Sequence, residues 1–491
     1  MLLHIVLIPA ALGLIALIVR KRPLGRLLLI AGSIAHGISV FLLALHRNGI
    51  PFNEWIGLDA TGLLFLSIAS ILFAAVSFYT ILYLSREADQ IIQDAVEGFS
   101  FVNHPESIFI GCLLLFLSAM SLVCISRNFG LLWVAVEATT LASAPLISFH
   151  KHHRSLEATW KYLLICSVGI ALALLGNFFL SYAGSGQLHL NVEELTSHAK
   201  LLNPLWLKAS FIMFLVGYGT KMGLAPMHNW LPDAHSEAPS MVSTLLSGAL
   251  LNCAFLGILR GHGVLVAAGL RIFSGELLIY FGLLSMAIAA VFIIHQPDYK
   301  RMLAYSSIEH MGILSLGIGI GGLAGTGAML HATCHSLTKG MLFLCSGQLL
   351  YIFKTKNAAD VQHAFKTLPV TGFLWFAGFL AITGSPPFGL FTSELVIFKG
   401  IIENGRWYIA GFYLLFLFII FIAMAKIVIP MTFGQADQTV ELKAKPNDFK
   451  EQIWFSGPAA ALCAGVLILG LYIPSWLWHL MDQAAQCAGG H

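Results

Sequence analysis

The feature that most constrains this chain is a succession of apolar runs of about 20 residues, one after another along its whole length. Wound as a helix, a run of that size crosses a hydrocarbon layer of about 30 Å. Of 491 residues, 58% are hydrophobic and only 10% charged, against roughly 25% charged in an ordinary soluble domain. Together with a mean hydropathy of +0.82, this excludes a water-soluble globule and points to an all-α, polytopic membrane protein. Its 27 basic and 24 acidic residues leave a formal net charge of +3, too balanced for an electrostatic nucleic-acid partner. The 8 cysteines form no C-x-x-C pair and no iron–sulfur spacing, so they read as small hydrophobes. Leu2 to Val19 has no basic residue before it and Arg20, Lys21 and Arg22 after it, the pattern of a retained helix and not of a cleaved signal.

Windows bounded by charges, Gly or Pro give about fourteen spans, near 2–19, 27–46, 60–84, 107–126, 129–149, 158–183, 207–231, 240–260, 273–295, 303–323, 325–353, 370–401, 407–433 and 454–478. Connections after odd-numbered spans hold most of the Lys and Arg, including Lys21, Arg86, Lys151, Lys300, Lys354 and Lys443, whereas even-numbered ones hold Arg47, Arg127, Lys200, Arg260, Arg271 and Arg406. The positive-inside rule then places both termini outside and the polar stretch 435–451 in the cytoplasm or its equivalent. No linker separates soluble domains, so residues 1–491 form one membrane domain. Within it, Gly217 to Pro226 and Gly384 to Gly389 interrupt the seventh and twelfth spans with Gly and Pro. Two breaks five spans apart suggest two inverted five-helix repeats, spans 4–8 (107–260) and 9–13 (273–433), after three N-terminal helices (1–106) and before a final one (454–478).

An Asp, Lys or Arg at a helix centre costs about 2.5–3.5 kcal/mol on insertion scales, so each such group needs a reason. This chain places Glu137 in span five, Lys221 at the first break, Glu309 and His310 in span ten, and Glu394 just past the second break. Span eleven carries His331, His335 and Lys339 four residues apart each time, on one helical face. A single such histidine reads equally well as a packed ring. As a set, alternating carboxylates, lysines and imidazoles are what a proton path requires. Lys161 reads as a snorkelling residue; Lys426, near Pro430, fits snorkelling or a path exit equally. His228, Asp233, His235 and Glu237 form either a half-channel mouth or a solvated turn. A metal or haem held by His331 and His335 is the rival reading, opposed by the charge of Lys339 on the same face.

At these residues the sequence resembles a known family. Lys221-Met-Gly-Leu-Ala-Pro-Met-His-Asn-Trp-Leu-Pro-Asp-Ala-His-Ser-Glu-Ala-Pro239, Leu303-Ala-Tyr-Ser-Ser-Ile-Glu-His-Met-Gly312, His331-Ala-Thr-Cys-His-Ser-Leu-Thr-Lys339 and Gly384-Ser-Pro-Pro-Phe-Gly389 are similar to signatures of the antiporter-like subunits of respiratory complex I, membrane-bound hydrogenases, formate hydrogenlyase and multi-subunit sodium/proton antiporters. Glu309 directly before His310 resembles the hydrogenase and formate-hydrogenlyase branch most. The resemblance implies a proton-translocating subunit in a prokaryotic inner membrane, working with other membrane subunits and a peripheral redox arm. It implies no cofactor and no metal of its own, and leaves sodium open as an alternative ion and a sodium/proton antiporter complex or complex I itself as alternative assemblies.

Residue by residue, the resemblance pairs Glu137 with Lys221 as an ion pair whose opening releases a proton. It puts His310, His331, His335 and Lys339 on a polar central axis and Glu394 at the exit of the second half. Where several members have a lysine in the eighth helix this chain has Asn252, which can hold water but cannot titrate. Asn252, Glu309, His228 and Lys426 are secondary candidates for the path.

Overall fold

The computed structural model of the chain describes residues 2–46, 53–87, 92–93, 100–434 and 453–489. Helices account for almost all of them: α1 His4–Ile18, α2 Arg22–Leu45, α3 Ala60–Glu87, α4 Glu106–Ile125, α5 Phe129–Ile147, α6 His153–Ala183, α7 Val192–Ser197, α8 Pro204–Met222, α9 Trp230–Glu237 and α10 Ser240–Leu245. A π-helical turn, Leu246–Leu250, leads without interruption into α11 Leu251–Ala267, followed by α12 Arg271–Ile293, α13 Tyr299–Ile320, α14 Leu323–Phe353, α15 Ala364–Thr367, α16 Pro369–Ile382, α17 Gly389–Glu403, α18 Trp407–Phe433, α19 Ile453–Leu471 and α20 Ser475–Cys487. One antiparallel pair of two-residue strands, Ile92–Gln93 with Ser100–Phe101, is the largest β-structure among the described residues. Ten helices are long and apolar enough to cross a membrane among the described residues. The stretch 435–451 lies outside them.

Burial sorts the helices into a centre and a rim. The apolar window of the continuous rod Ser240–Ala267 is 100% buried, whereas that of α18 is only 28% buried and presents its apolar side chains outward. Lipid tails are as apolar as leucine, so the helices associate by close packing and hydrogen bonds. Small residues permit it. A Cβ on Gly217 of α8 would stand 2.6 Å from the Ala173 nitrogen and from the Gly169 carbonyl of α6, and Gly282 of α12 has the same relation to Gly312 of α13, at 2.6 Å from its carbonyl.

Both sequence interruptions end a helix in the same way. After α8, Gly223 takes φ +83° and the Leu224 amide donates to the Gly219 carbonyl at 2.8 Å. After α16, Gly384 takes φ +61° and the Ser385 amide donates to the Leu380 carbonyl at 2.9 Å. Each is a six-to-one cap with glycine in the left-handed region, where an L side chain is strained. The caps satisfy carbonyls that would otherwise be orphaned at membrane depth.

Several boundaries differ from the sequence expectation. Arg260, expected at the end of a span, lies inside α11 and is 5% exposed, because the helix runs on to Ala267. Its guanidinium reaches Asp59 at 3.2 Å, and Arg127 reaches the same carboxylate at 2.5 Å, tying α11 and the α4–α5 turn to the start of α3. Lys300, expected in a cytoplasmic connection, is likewise buried, at the first turn of α13. The last span ends at Leu471; Pro474 starts a separate helix, α20, whose Ala484 carbonyl and Asp482 carboxylate accept from Thr61 at 3.1 Å and Thr326 at 2.9 Å.

Gly217→Val should lower the thermal stability of the purified chain by about 1–3 kcal/mol, the usual cost of overpacking a tight contact, because the atoms it meets are backbone and cannot swing aside. Thermal unfolding in detergent reads the effect.

Candidate functional site

The first cluster joins α5, α6 and α8. Lys221 sits in the last turn of α8, fully buried. Its ammonium donates to the Thr140 hydroxyl and to the Tyr162 hydroxyl, both at 2.7 Å. Thr140 in turn donates to the Glu137 carboxylate at 3.2 Å, and Ser167 donates to the other oxygen of Glu137 at 3.0 Å. The lysine and the glutamate therefore do not touch. Thr140 stands between them, and hydroxyls, not carbonyls at the break, hold the ammonium. The helix cap accounts for this, since it already engages the Gly219 and Thr220 carbonyls, and Trp230 Nε1 also donates to Thr220 at 2.8 Å.

The second cluster joins α13, α14 and α17. Lys339 donates to the Leu303 carbonyl and the Ser306 hydroxyl, both at 2.5 Å. His310 Nδ1 and His331 Nε2 are 3.0 Å apart, and His331 Nδ1 is 2.9 Å from the Ser393 hydroxyl. The His335 ring lies 4.9 Å from that of His310, centroid to centroid. Glu394 follows Ser393 on α17, its carboxylate pressed against the α-carbon of Gly384 so closely that a Cβ there would collide with it. The second break thus positions its carboxylate by leaving out a side chain. The metal rival envisaged from the sequence paired His331 with His335; packing couples His331 to His310 of the next helix instead.

Between the clusters, Asn252 donates to the Gly248 carbonyl at 3.0 Å and to Ser336 of α14 at 2.9 Å. Its carbonyl oxygen has no hydrogen-bond partner among the described residues. The same holds for both ring nitrogens of His235 and His335, for His310 Nε2, and for one oxygen each of Glu309 and Glu394. All of these residues are buried.

The stretch after Pro226 is no solvated turn. Residues 230–237 form α9, with His235 fully buried and its ring stacked on Phe343 at 5.2 Å. Asp233 pairs with Lys161, at 3.0 Å, and with Arg301, so Lys161 has an ionic partner instead of only snorkelling. Glu237 pairs with Lys356 at 2.8 Å and with His152 at 3.5 Å. Lys300 closes the helix end, donating to the Ser236 and Ala238 carbonyls at 3.1 and 2.6 Å. Burial works against the charge on Glu237, but Lys356 and then His152 and Lys300 outweigh it and hold its carboxyl below the ordinary range. His228 is buried beside Phe292 and Tyr305 of α12 and α13. Lys426 lies apart from both clusters, exposed on the rim helix α18.

Residues 126–423 match the family described as NADH:quinone oxidoreductase/Mrp antiporter, TM. The chain belongs to this family. Over 287 residues it is 43% identical to a hydrogenase-4 component F homolog of Methylacidiphilum infernorum, covering 57% of this chain and 60% of the relative. Hydrogenase-4 component B of Escherichia coli is 28% identical over 364 residues, 71% of this chain and 51% of the relative. The chain thus spans little more than half the length of these two curated relatives. Among solved structures, a chain of an archaeal membrane-bound sulfane sulfur reductase superposes with a TM-score of 0.83 at 19% identity, covering 99% of this chain and 97% of that one. A chain of the Mrp complex from Dietzia gives 0.83 at 17% identity, covering 99% and 96%. These two likenesses establish the fold.

Sequence reasoning missed Thr140, Tyr162, Ser167, Ser306, Ser336 and Ser393. Thr140 was within reach of it, three residues after Glu137 on the same helical face. Tyr162 was not, because nothing local places it beside Lys221.

Glu237→Gln should destabilise the chain by about 1–3 kcal/mol at neutral pH by leaving Lys356 and His152 without their carboxylate. Because folding lowers the Glu237 pKa, its contribution is complete above the ordinary glutamate value of about 4.3 and fades as pH falls through the lower folded one. Melting curves of the two proteins in detergent should therefore converge on acidification.

Proposed function

We propose that this chain is the proton-translocating, antiporter-like membrane subunit of a complex I-like redox complex, of the hydrogenase-4 kind. The observation that carries the reading is the layout of its buried groups: a lysine relayed to a glutamate through a threonine in one half, lysine, histidines and a glutamate in the other, and Asn252 bonded to Ser336 where the halves meet. The 43% identity to a hydrogenase-4 component F homolog supports the hydrogenase branch. The likeness to a chain of an Mrp complex keeps a cation/proton antiporter assembly as the second reading.

In this reading the Lys221 ammonium is held by two hydroxyls and by the field of Glu137 one hydroxyl away. Thr140 can turn its hydroxyl proton toward Glu137 while it accepts from Lys221, so it transmits a change of charge on either partner to the other. The unpartnered polar atoms of His235, Asn252, His335, Glu309 and Glu394 are suited to bind water, and a water chain there would join Lys221 to Lys339 and then to Glu394. Asn252 would orient that water without trapping a proton. Glu137, Lys221, His310, His331, His335, Lys339 and Glu394 are the proposed path, with Glu309, Asn252 and His228 beside it. Lys426 is its weakest member, given its place on the rim. Partner subunits would supply the driving energy, and moving one proton against 100 mV takes about 2.3 kcal/mol.

The two six-to-one caps, five spans apart, support two inverted repeats, 107–260 and 273–433, within about fourteen spans. An even number of spans would leave both termini on one side, the Lys and Arg bias of the connections favours the outside, and the hydrogenase-4 relatives favour a prokaryotic inner membrane.

Thr140→Val keeps the shape of the side chain and removes the bridge. Proton pumping by vesicles holding the assembled complex should slow by roughly tenfold, equivalent to about 1.4 kcal/mol on the barrier, with Lys221→Met and Glu137→Gln at least as severe. Normal pumping in all three would defeat the proposal. For topology, single cysteines at Lys21 and Lys354, in a Cys487→Ser background, should react only with reagent on the cytoplasmic side, and ones at Lys200 and Asn404 only from outside. Labelling of all four from one side would refute the orientation.

A further inference from the structure

The second cluster holds more than a proton relay needs. One donor atom each from His310, His331 and Glu394 lies within 4.8 Å of the other two. The three residues come from α13, α14 and α17, and their exposures are 0%, 0% and 8%. We propose that they form a binding site for a borderline divalent cation of the zinc class, which on entering interrupts the polar axis.

Hydrogen-bond logic sets the protonation of the pair. Ser393 donates its hydroxyl proton to the Leu390 carbonyl at 2.8 Å, so it accepts from His331, whose proton therefore sits on Nδ1. His331 Nε2 is then a lone pair, and His310 Nδ1 donates to it across 3.0 Å. This leaves His310 Nε2 unprotonated and, like Glu394 Oε1, without a hydrogen-bond partner among the described residues. Two neutral imidazoles and a carboxylate are a donor set that zinc accepts as three protein ligands, with a fourth position left for water.

Insertion of the cation balances without redox chemistry. The hydrogen bond from His310 to His331 breaks, the His310 proton moves from Nδ1 to Nε2, and coordinate bonds form from His310 Nδ1, His331 Nε2 and Glu394. No electron is transferred, and Glu394 ligates as the carboxylate, its carboxyl proton passing to water. Ser393 already fixes the tautomer of His331 from behind, as an outer partner of a ligating histidine does. Glu309, adjacent to His310 and buried, adds a second carboxyl group to the neighbourhood, while the Lys339 ammonium is engaged by Leu303 and Ser306. Bonds of about 2.0–2.2 Å require the donors to stand roughly 3.4 Å from one another, so the two histidine nitrogens part slightly from their 3.0 Å contact and Glu394 moves in, a movement of side chains on three packed helices. That the cation stops transport rests on the path proposed above; that it binds does not.

The test uses the full chain in nanodiscs, in the Cys487→Ser background, titrated with Co²⁺ as an optical probe and back-titrated with Zn²⁺. One Co²⁺ per chain should give the intense visible bands of a four-coordinate nitrogen and oxygen site, displaced by Zn²⁺. His331→Gln and Glu394→Gln should weaken binding at least tenfold, Glu394→Asp should retain it with shifted bands, and His235→Gln should leave it unchanged. Unchanged affinity in both Gln variants of the site, with all proteins eluting and melting as folded, would overturn the site. Zn²⁺ should also stop pumping by the assembled complex at the concentrations at which it binds; binding with pumping intact would overturn the blocking role and leave the site standing. Absence of binding would not touch the transport proposal, whose test is the pumping of the Thr140 and Lys221 variants.

Discussion

Everything in this molecule follows from the cost of keeping charge away from water. In a bundle whose surroundings are hydrocarbon, an ionised side chain must be surrounded by donors and acceptors supplied by the protein itself. Lys221 and Lys339 meet that demand with hydroxyls and one carbonyl, not with a direct carboxylate contact. The choice has a consequence. A lysine clasped to a glutamate is deeply trapped, whereas one held by reorientable hydroxyls, with its carboxylate one bond further off, is left responsive to its surroundings. The same hydroxyls could accept a hydrogen bond from an ammonium or donate one to an amine.

The broken helices serve that arrangement. A continuous helix would have used all its carbonyls internally and offered no room at its centre. The caps at Gly223 and Gly384 stop the helices cleanly, and what they make possible differs between the halves. In the first half the break ends α8 at Met222, one residue past Lys221, and lets Trp230 fold back onto Thr220 and pack at a tilt against Tyr162 at 5.0 Å. In the second, the missing side chain of Gly384 leaves space for the Glu394 carboxylate. At the end of the bundle where α9 lies, a different set of interactions prevails. Asp233 and Glu237, one turn apart, gather Lys161, Arg301, Lys356 and His152 from three other parts of the chain. That clamp fixes α9, and with it His235 against Phe343.

Much of this was legible in the sequence, for reasons that are local. Apolar run length marks membrane helices because the bilayer has one thickness, and Gly–Pro breaks show because few residues tolerate those backbone conformations. Ionisable residues in apolar runs stand out because they are costly. For Glu137, Lys221, His331, His335 and Lys339 helical position was enough to nominate them. What misled the reading was treating each charge by its flanks: Lys300 and Arg260 looked like interfacial residues and are buried, since their partners, the carbonyls at the end of α9 and the Asp59 carboxylate, lie more than 60 residues away.

The sequence by itself determined that the chain lives in a membrane, where its helices break and which charged groups within its apolar runs need partners. Those properties depend on hydrophobic length, on backbone sterics and on single-residue transfer energies, all of which are written in short stretches. Tertiary structure alone decided which groups meet: Thr140 interposed between Lys221 and Glu137, His331 turned to His310 instead of His335, Asn252 bonded to Ser336, and Glu394 seated in the gap at Gly384. Each of those contacts joins separate elements, or depends on how they pack. A hydrogen bond forms or fails within a few tenths of an ångström, a precision that only the packing of whole helices against one another supplies.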